Sequence, residues 1–268
     1  MTASDSAFAG SIPAIYDQCL GPLLFEPYAE DLAARLALME PGRILETAAG
    51  TGVVTIAISR RLPDAEIVAT DLNQAMLDVA AAKTDSDRIA FHSADAQSLP
   101  FEDRSFDAVV CQFGAMFFPD RVLAYREALR VLRPGGHFLF NVWDKVDNNP
   151  ASLAIAEAVA SLFPEDPPNF IHRTPFGYHD IELVEADLRS PGFRDIAIET
   201  VAKRSRSSDP AAAARGMCLG SPLRAEIEAR DPARLEEAVT AAERLLARFV
   251  GAEGLDAAMS AHVITASA

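Results

Sequence analysis

The run Arg43-Ile-Leu-Glu-Thr-Ala-Ala-Gly-Thr-Gly-Val-Val-Thr55 carries the densest structural signal in the chain. Apolar residues lead into Glu46, a turn of small residues follows with Gly50 and Gly52, and Val53 to Arg61 has helical potential. That order reads as a buried first strand, a tight turn and a helix opening on the far side. Glycine in such a turn takes dihedrals barred to other residues and lets a ligand approach the main chain closely. The helix start behind it offers unpaired N–H groups and a slightly positive field. A ligand with polar or anionic groups is expected there.

Two kinds of nucleotide site use a turn like this, and spacing separates them. A dinucleotide fingerprint has G-x-G-x-x-G/A, its last small residue allowing close helix–sheet packing. Here Gly50-Thr-Gly52 is followed three residues on by Thr55, and Glu46 stands four residues before Gly50. The set Glu46, Ala48, Gly50 and Gly52 resembles motif I of the class I S-adenosylmethionine-dependent methyltransferases, with Ala48 where the first glycine usually stands. The resemblance implies that these four residues contact S-adenosylmethionine. For the G-x-G taken alone, a purely structural turn is the alternative.

A chain of 268 residues suits one large α/β domain or a domain with an inserted cap. Half of it is hydrophobic and 24% is charged, the balance of a globular protein. The net charge of −15 argues against nucleic acid, whose phosphates need a concentrated basic surface. Cys19, Cys111 and Cys218 form no C-x-x-C pair and fit reduced thiols in a cytosol better than disulfides or zinc. The first basic residue is Arg35 and no apolar run reaches membrane-spanning length. No signal peptide or transmembrane helix is therefore expected, and the expected location is cytoplasmic.

Ahead of the first strand, Pro13, Pro22 and Pro27 should break residues 10–28 into short pieces. The Tyr16-Asp17 pair resembles one that lies over the cofactor in these methyltransferases; a packing arm is the alternative. The second strand, Glu66 to Asp71, places an acidic residue 19 positions beyond Gly52, where it can accept hydrogen bonds from both ribose hydroxyls. That feature is shared with NAD enzymes, and helix capping by Asp71 or Asn73 is the alternative. The third strand, Ile89 to Asp95, opens Asp95-Ala-Gln-Ser-Leu-Pro-Phe-Glu-Asp-Arg-Ser-Phe-Asp107, which resembles motif III of the type 11, ubiquinone/menaquinone-biosynthesis-like methyltransferases. The resemblance implies that Asp95 accepts from the adenine amino group while the Ala96 N–H meets a ring nitrogen. Leu72, Met76 and Gln97 are counted with the same cofactor contacts.

The fourth strand, Phe106 to Phe113, is a nearly unbroken apolar run, as fits a strand buried on both faces. By the family correspondence Cys111 and Gln112 touch the cofactor, and Phe113, Met116 and Phe117 flank the methyl group. A helix from Arg121 to Leu132 leads through Arg133-Pro-Gly-Gly136, a family signature and a physical helix stop, into a fifth strand, His137 to Asp144. Strands alternating with helices call for a mostly parallel, Rossmann-like sheet covered on both faces, with ligands beyond its carboxyl edge. Glu46, Asp71, Asp95 and Gln112 all fall at that edge.

Beyond residue 144 the signals thin. A helix over 150–163, a Pro- and aromatic-rich stretch over 164–180, a helix from Ile181 capped by Asp180, a sixth strand over 196–203, further helices and a last strand over 262–268 are expected. The family layout implies seven strands, the last antiparallel. A single methyltransferase domain over 1–268 follows, with a cap segment (1–42), a cofactor core (43–144) and pocket-building insertions (145–195 and 205–260). Trp143 and His172 are candidates for the acceptor pocket, and no catalytic base or metal site stands out.

The function implied is methyl transfer from S-adenosylmethionine to an O, N or C nucleophile of a small molecule, leaving S-adenosylhomocysteine. A non-catalytic S-adenosylmethionine-binding regulator and, less favoured, an NAD-dependent oxidoreductase are the alternatives. Oligomeric state is left open, a homodimer among the options.

Overall fold

The structure is a computed structural model that describes residues 10–268. The described residues open with α1 (Ile12–Ile15), a π-helical segment (Tyr16–Phe25) and α2 (Glu26–Ala37), which follow one another without a break. The expectation of short pieces is therefore wrong. Pro13 sits in the first turn of α1, where the missing N–H has no partner to lose, and Pro27 sits where the π-helical segment passes into α2. Pro22 lies inside the π-helical segment, whose wider turn relieves the usual clash with the carbonyl four residues back. Tyr28, Leu32 and Leu36, spaced at four, are all fully buried. Each contributes about 1.5–3 kcal/mol by leaving water, which holds α2 against the sheet.

Five parallel strands follow: β1 (Arg43–Glu46), β2 (Glu66–Asp71), β3 (Ile89–Ser93), β4 (Phe106–Gln112) and β5 (Leu132–Trp143). Between them lie α3 (Val53–Arg61), α4 (Gln74–Ala81) and α5 (Arg121–Val131). After β5 come α6 (Pro150–Leu162), α7 (Phe170–Arg173) and α8 (Ile181–Arg189), then β6 (Arg194–Ser207). A second helical group, α9 (Ala211–Leu219), α10 (Leu223–Arg230) and α11 (Leu235–Leu246), precedes β7 (Val250–Gly251) and β8 (Gly254–Ser267). The sheet order is β3-β2-β1-β4-β5-β8-β6, with the two-residue β7 paired to β8. β8 runs antiparallel to both β5 and β6.

The fold is thus the mixed α/β, Rossmann-like sheet with an antiparallel last strand, with eight strands in place of seven among the described residues. β5 starts at Leu132 rather than His137, because Leu132 already pairs with Phe106 of β4 and residues 133–136 bulge out before His137 pairs with Ala108. β6 and β8 are also longer than their apolar runs, since each continues as a hairpin-like ribbon beyond the sheet body. Asp180 caps α8 as expected, accepting from the Glu182 and Leu183 N–H groups.

Strand order reverses at β1, whose neighbours are β2 on one side and β4 on the other. The chain leaving β1 goes to one side and the chain leaving β4 to the other, which opens a crevice at their carboxyl ends.

Candidate functional site

Glu46, Asp71 and Gln112 are the last residues of β1, β2 and β4, and Asp95 follows the end of β3 by two residues. A cavity of about 210 Å³ opens at this rim. Tyr16, Ala48, Gly50, Asp71, Leu72 and Met76 line one side; Asp95, Ala96, Gln97, Gln112, Phe113 and Phe117 line the other. Twelve of the residues singled out from sequence are therefore brought together around one space.

The turn after β1 is built to come close to that space. Gly50 and Ala48 both have positive φ, 55° and 52°. For Ala48 the left-handed region costs roughly 1–2 kcal/mol. A Cβ on Gly114 would stand 2.4 Å from the Ala48 Cβ and 2.8 Å from Cys111 Sγ, so the loop after β4 packs tightly on this turn. Asp71 ties the turn to β2: Oδ2 accepts the Gly50 N–H and Oδ1 the Asn73 N–H, both at 2.8 Å. Burial pushes its carboxyl above the usual range, and the hydrogen bonds from Asn73 and Gly50 oppose that shift. A carboxylate has about four acceptor positions, so ligand hydroxyls can share it. Asp95 accepts from the Gln97 N–H at 2.8 Å and from the Gln97 side chain at 3.2 Å, which holds the Asp95–Gln97 loop in shape beside the cavity.

Glu46 does not line the main cavity. It faces a crevice of about 30 Å³ that shares Tyr16, Ala48, Gly50 and Gln112 with it. Its Oε2 accepts the Thr55 hydroxyl at 2.6 Å, and burial raises its carboxyl to about 8. Two buried polar atoms of this crevice have no hydrogen-bond partner among the described residues: Gln112 Oε1 and Thr51 Oγ1. Gln112 Nε2 meanwhile donates to the Phe25 carbonyl at 3.2 Å, so the amide is fixed with its oxygen inward. Thr51 and Thr55 were missed from sequence as site residues. Thr55 counted there only as a departure from the dinucleotide pattern, and its partnership with Glu46 is a nine-residue contact that only the folded turn creates.

Other sequence candidates lie elsewhere. Gly52 caps α3 at φ 78°, and its missing side chain lets α4 approach, since a Cβ would meet Ala80 Cβ at 2.8 Å. Cys111 is fully buried behind the site, its thiol pushed up to about 12 by burial. Met116 is likewise core. His172 is exposed on α7 and lines neither cavity, because α7 turns Phe170 and Ile171 inward instead.

A second, smaller cavity of about 70 Å³ adjoins the first, sharing Tyr16, Phe113 and Phe117. Trp143 lines it, stacked on Phe113 at 3.9 Å with the planes 7° apart. Its remaining wall comes from Leu20, Leu24 and Phe25 of the π-helical segment and from the region beyond β5, through Ser152, Phe170, Phe176, Met217 and Ser221 among others.

A parallel sheet with this strand order, an acidic residue at successive strand ends and a cavity over the crevice defines a class I methyltransferase fold. Residues 45–140 match the protein-family model described as a methyltransferase domain. Over 109 residues, 40% of the chain, it is 40% identical to a demethylmenaquinone methyltransferase of Deinococcus radiodurans, covering 45% of that protein. Over 127 residues, 46% of the chain, it is 39% identical to the ubiquinone/menaquinone biosynthesis C-methyltransferase UbiE of Pseudomonas aeruginosa, covering 50% of it. The chain thus spans about half the length of the curated relatives it matches. In structure it resembles a phosphoethanolamine N-methyltransferase 2 of Haemonchus contortus solved with S-adenosylhomocysteine, at TM-score 0.61 and 18% identity, over 95% of this chain and 57% of that one.

Proposed function

We propose that the chain transfers a methyl group from S-adenosylmethionine to a small-molecule acceptor. The observation that carries this reading is the joined pair of spaces at the β1–β4 crevice. The larger offers Asp71 and Asp95 to a nucleoside, and the smaller offers two unpartnered buried polar atoms to an amino-acid group. S-adenosylmethionine would supply an activated methyl group on a positively charged sulfur.

The chain's own residues then have separate tasks. Asp71 accepts from the ribose hydroxyls, and Asp95 with the Ala96 N–H meets the adenine edge, a donor beside an acceptor. Gln112 Oε1 accepts from the ammonium group and the Thr51 hydroxyl meets the carboxylate. Tyr16, Phe113 and Phe117, which the main cavity shares with the adjoining aromatic cavity of about 70 Å³, hold the acceptor beside the methyl group and exclude water, which supplies much of the rate for an already activated group. Small-aromatic and quinone-like acceptors are in keeping with the sequence relatives. The free thiols of Cys19, Cys111 and Cys218 are in keeping with a cytoplasmic setting.

Calorimetric titration with S-adenosylhomocysteine tests the reading. Wild type should bind it, while Asp71→Ala, which loses charged-acceptor bonds worth about 1.5–3 kcal/mol each, should bind at least tenfold more weakly and stay folded. Gly50→Val should weaken binding as well, because Val resists φ 55°. Wild-type affinity in both variants, or binding of NAD in place of S-adenosylhomocysteine, would sink the proposal. Tight binding with no methyl transfer to any acceptor class would favour a non-catalytic binding protein.

A further inference from the structure

The acceptor-side cavity is a box of aromatic rings, and this composition limits the chemistry it can host. Seven rings line it. Beyond the Phe113–Trp143 stack, Phe25 and Phe176 tilt onto Trp143 at 6.4 and 5.8 Å, and Phe117 and Phe170 face each other at 6.3 Å. Among the described residues, its polar side chains are three hydroxyls, those of Tyr16, Ser152 and Ser221. The Ser221 hydroxyl already donates to the Met217 carbonyl at 2.6 Å. Burial, with Asp71 and Asp17 nearby, raises the Tyr16 phenol far above neutrality, so it stays protonated and takes up no proton. Ring faces attract cations, most strongly where water is excluded. An anion in the same box would lose its hydration with no cationic side chain in the lining to pair it.

We propose that the acceptor is a neutral nitrogen with no proton to lose, carried in a flat apolar frame such as a pyridine-type heterocycle, and that the product is an N-methyl cation. The inference rests on the methyltransferase reading above. The nitrogen lone pair forms the N–CH3 bond as the CH3–S bond breaks and its electron pair stays on sulfur. The positive charge passes from sulfur to nitrogen and no proton moves. The rings therefore face one cation before and after the step, and no side chain is asked to act as a base. Phenols and carboxylic acids fit less well, because their reactive forms are anions that burial disfavours.

Trp143 is the only tryptophan in the chain and lines the box, so its fluorescence reports occupancy directly. With S-adenosylhomocysteine at saturation, N-methylquinolinium, neutral 1-methylnaphthalene and anionic 2-naphthoate are titrated in parallel. N-methylquinolinium should bind saturably and at least tenfold more tightly than 2-naphthoate. Phe176→Leu and Phe170→Leu, which keep most of the volume but remove a ring, should weaken the cation about threefold to tenfold and leave 1-methylnaphthalene unmoved. In turnover, quinoline- and pyridine-type nitrogens should gain a methyl group. Equal binding of 2-naphthoate, or methylation of phenols and quinols with none of the heterocycles, overturns the inference while leaving the methyltransferase reading intact. Failure of S-adenosylhomocysteine to bind at all removes both.

Discussion

At the scale of single residues, Glu46 shows how one local contact sets a pH response. Its carboxyl is buried, hydrogen-bonded to Thr55 and raised from 4.5 to about 8 in the folded chain. The unfolded chain ionises it from about 4.5 upward, while the folded chain holds the proton until about 8. The stabilisation that Glu46 provides is therefore complete below pH 4.5 and is lost progressively as pH rises toward 8. Glu46→Gln keeps an acceptor for the Thr55 hydroxyl and removes the titration. Denaturant midpoints measured from pH 5 to 8 should show the variant gaining on wild type as pH increases. Parallel curves for the two proteins would mean that Glu46 ionises freely in the native state.

At the scale of elements, the N-terminal helical run acts as a strap. Its π-helical segment carries Tyr16 to the junction of all three spaces of the site, and Tyr16 stacks on Phe25 at 5.0 Å. The strap is fastened by the Asp17–Lys83 ion pair just past α4 and by Arg224, which donates to the Ser11 hydroxyl at 3.1 Å. A partly exposed ion pair of this kind contributes modestly and is weakened by salt. Ligand release should require the strap to lift. Lys83→Met should speed S-adenosylhomocysteine dissociation about twofold to fivefold, and salt should accelerate release from wild type but not from the variant. Stopped-flow displacement showing the same rate and the same salt dependence in both would remove the latch from the account.

At the scale of the whole molecule, Asp144 joins the core to the antiparallel extension. It follows β5, accepts from Lys145 N–H and Asn148 at 2.7 Å and from the Ser260 hydroxyl at 2.9 Å, and pairs with His262 of β8 at 3.3 Å. Burial opposes its charge, yet the hydrogen bonds from Asn148, Lys145 and Ser260 and the nearby His262 together hold its carboxyl below the usual value. Asp144→Ala removes the buried acceptor shared by the Lys145 N–H, Asn148 and Ser260 and should cost about 1–3 kcal/mol in unfolding experiments. Because the folded value is depressed, this contribution is present above pH 3.8 and fades as pH falls through the folded value, so the gap between the proteins should close in acid. A gap below about 0.5 kcal/mol at pH 7 would show that the link between β5 and β8 is held by strand pairing alone.

The rhythm of strands and helices and the acidic residues at the ends of the first three strands were legible in the sequence, because periodicity, turn chemistry and helix caps act over a few neighbouring residues. Glu46, Asp71, Asp95 and Gln112 could be placed on one edge from topology rules alone. Only the tertiary structure separated Glu46 into its own crevice with Thr51, its carboxyl held by the Thr55 hydroxyl. It also joined three proline-containing pieces into one strap, since a π-helical turn is stabilised by what packs on it. The aromatic box is the clearest case. Its walls come from residues as far apart as Tyr16, Phe113, Trp143, Phe170 and Met217, and no local period in a chain encodes contacts that exist only once distant apolar side chains are driven out of water into one cavity wall.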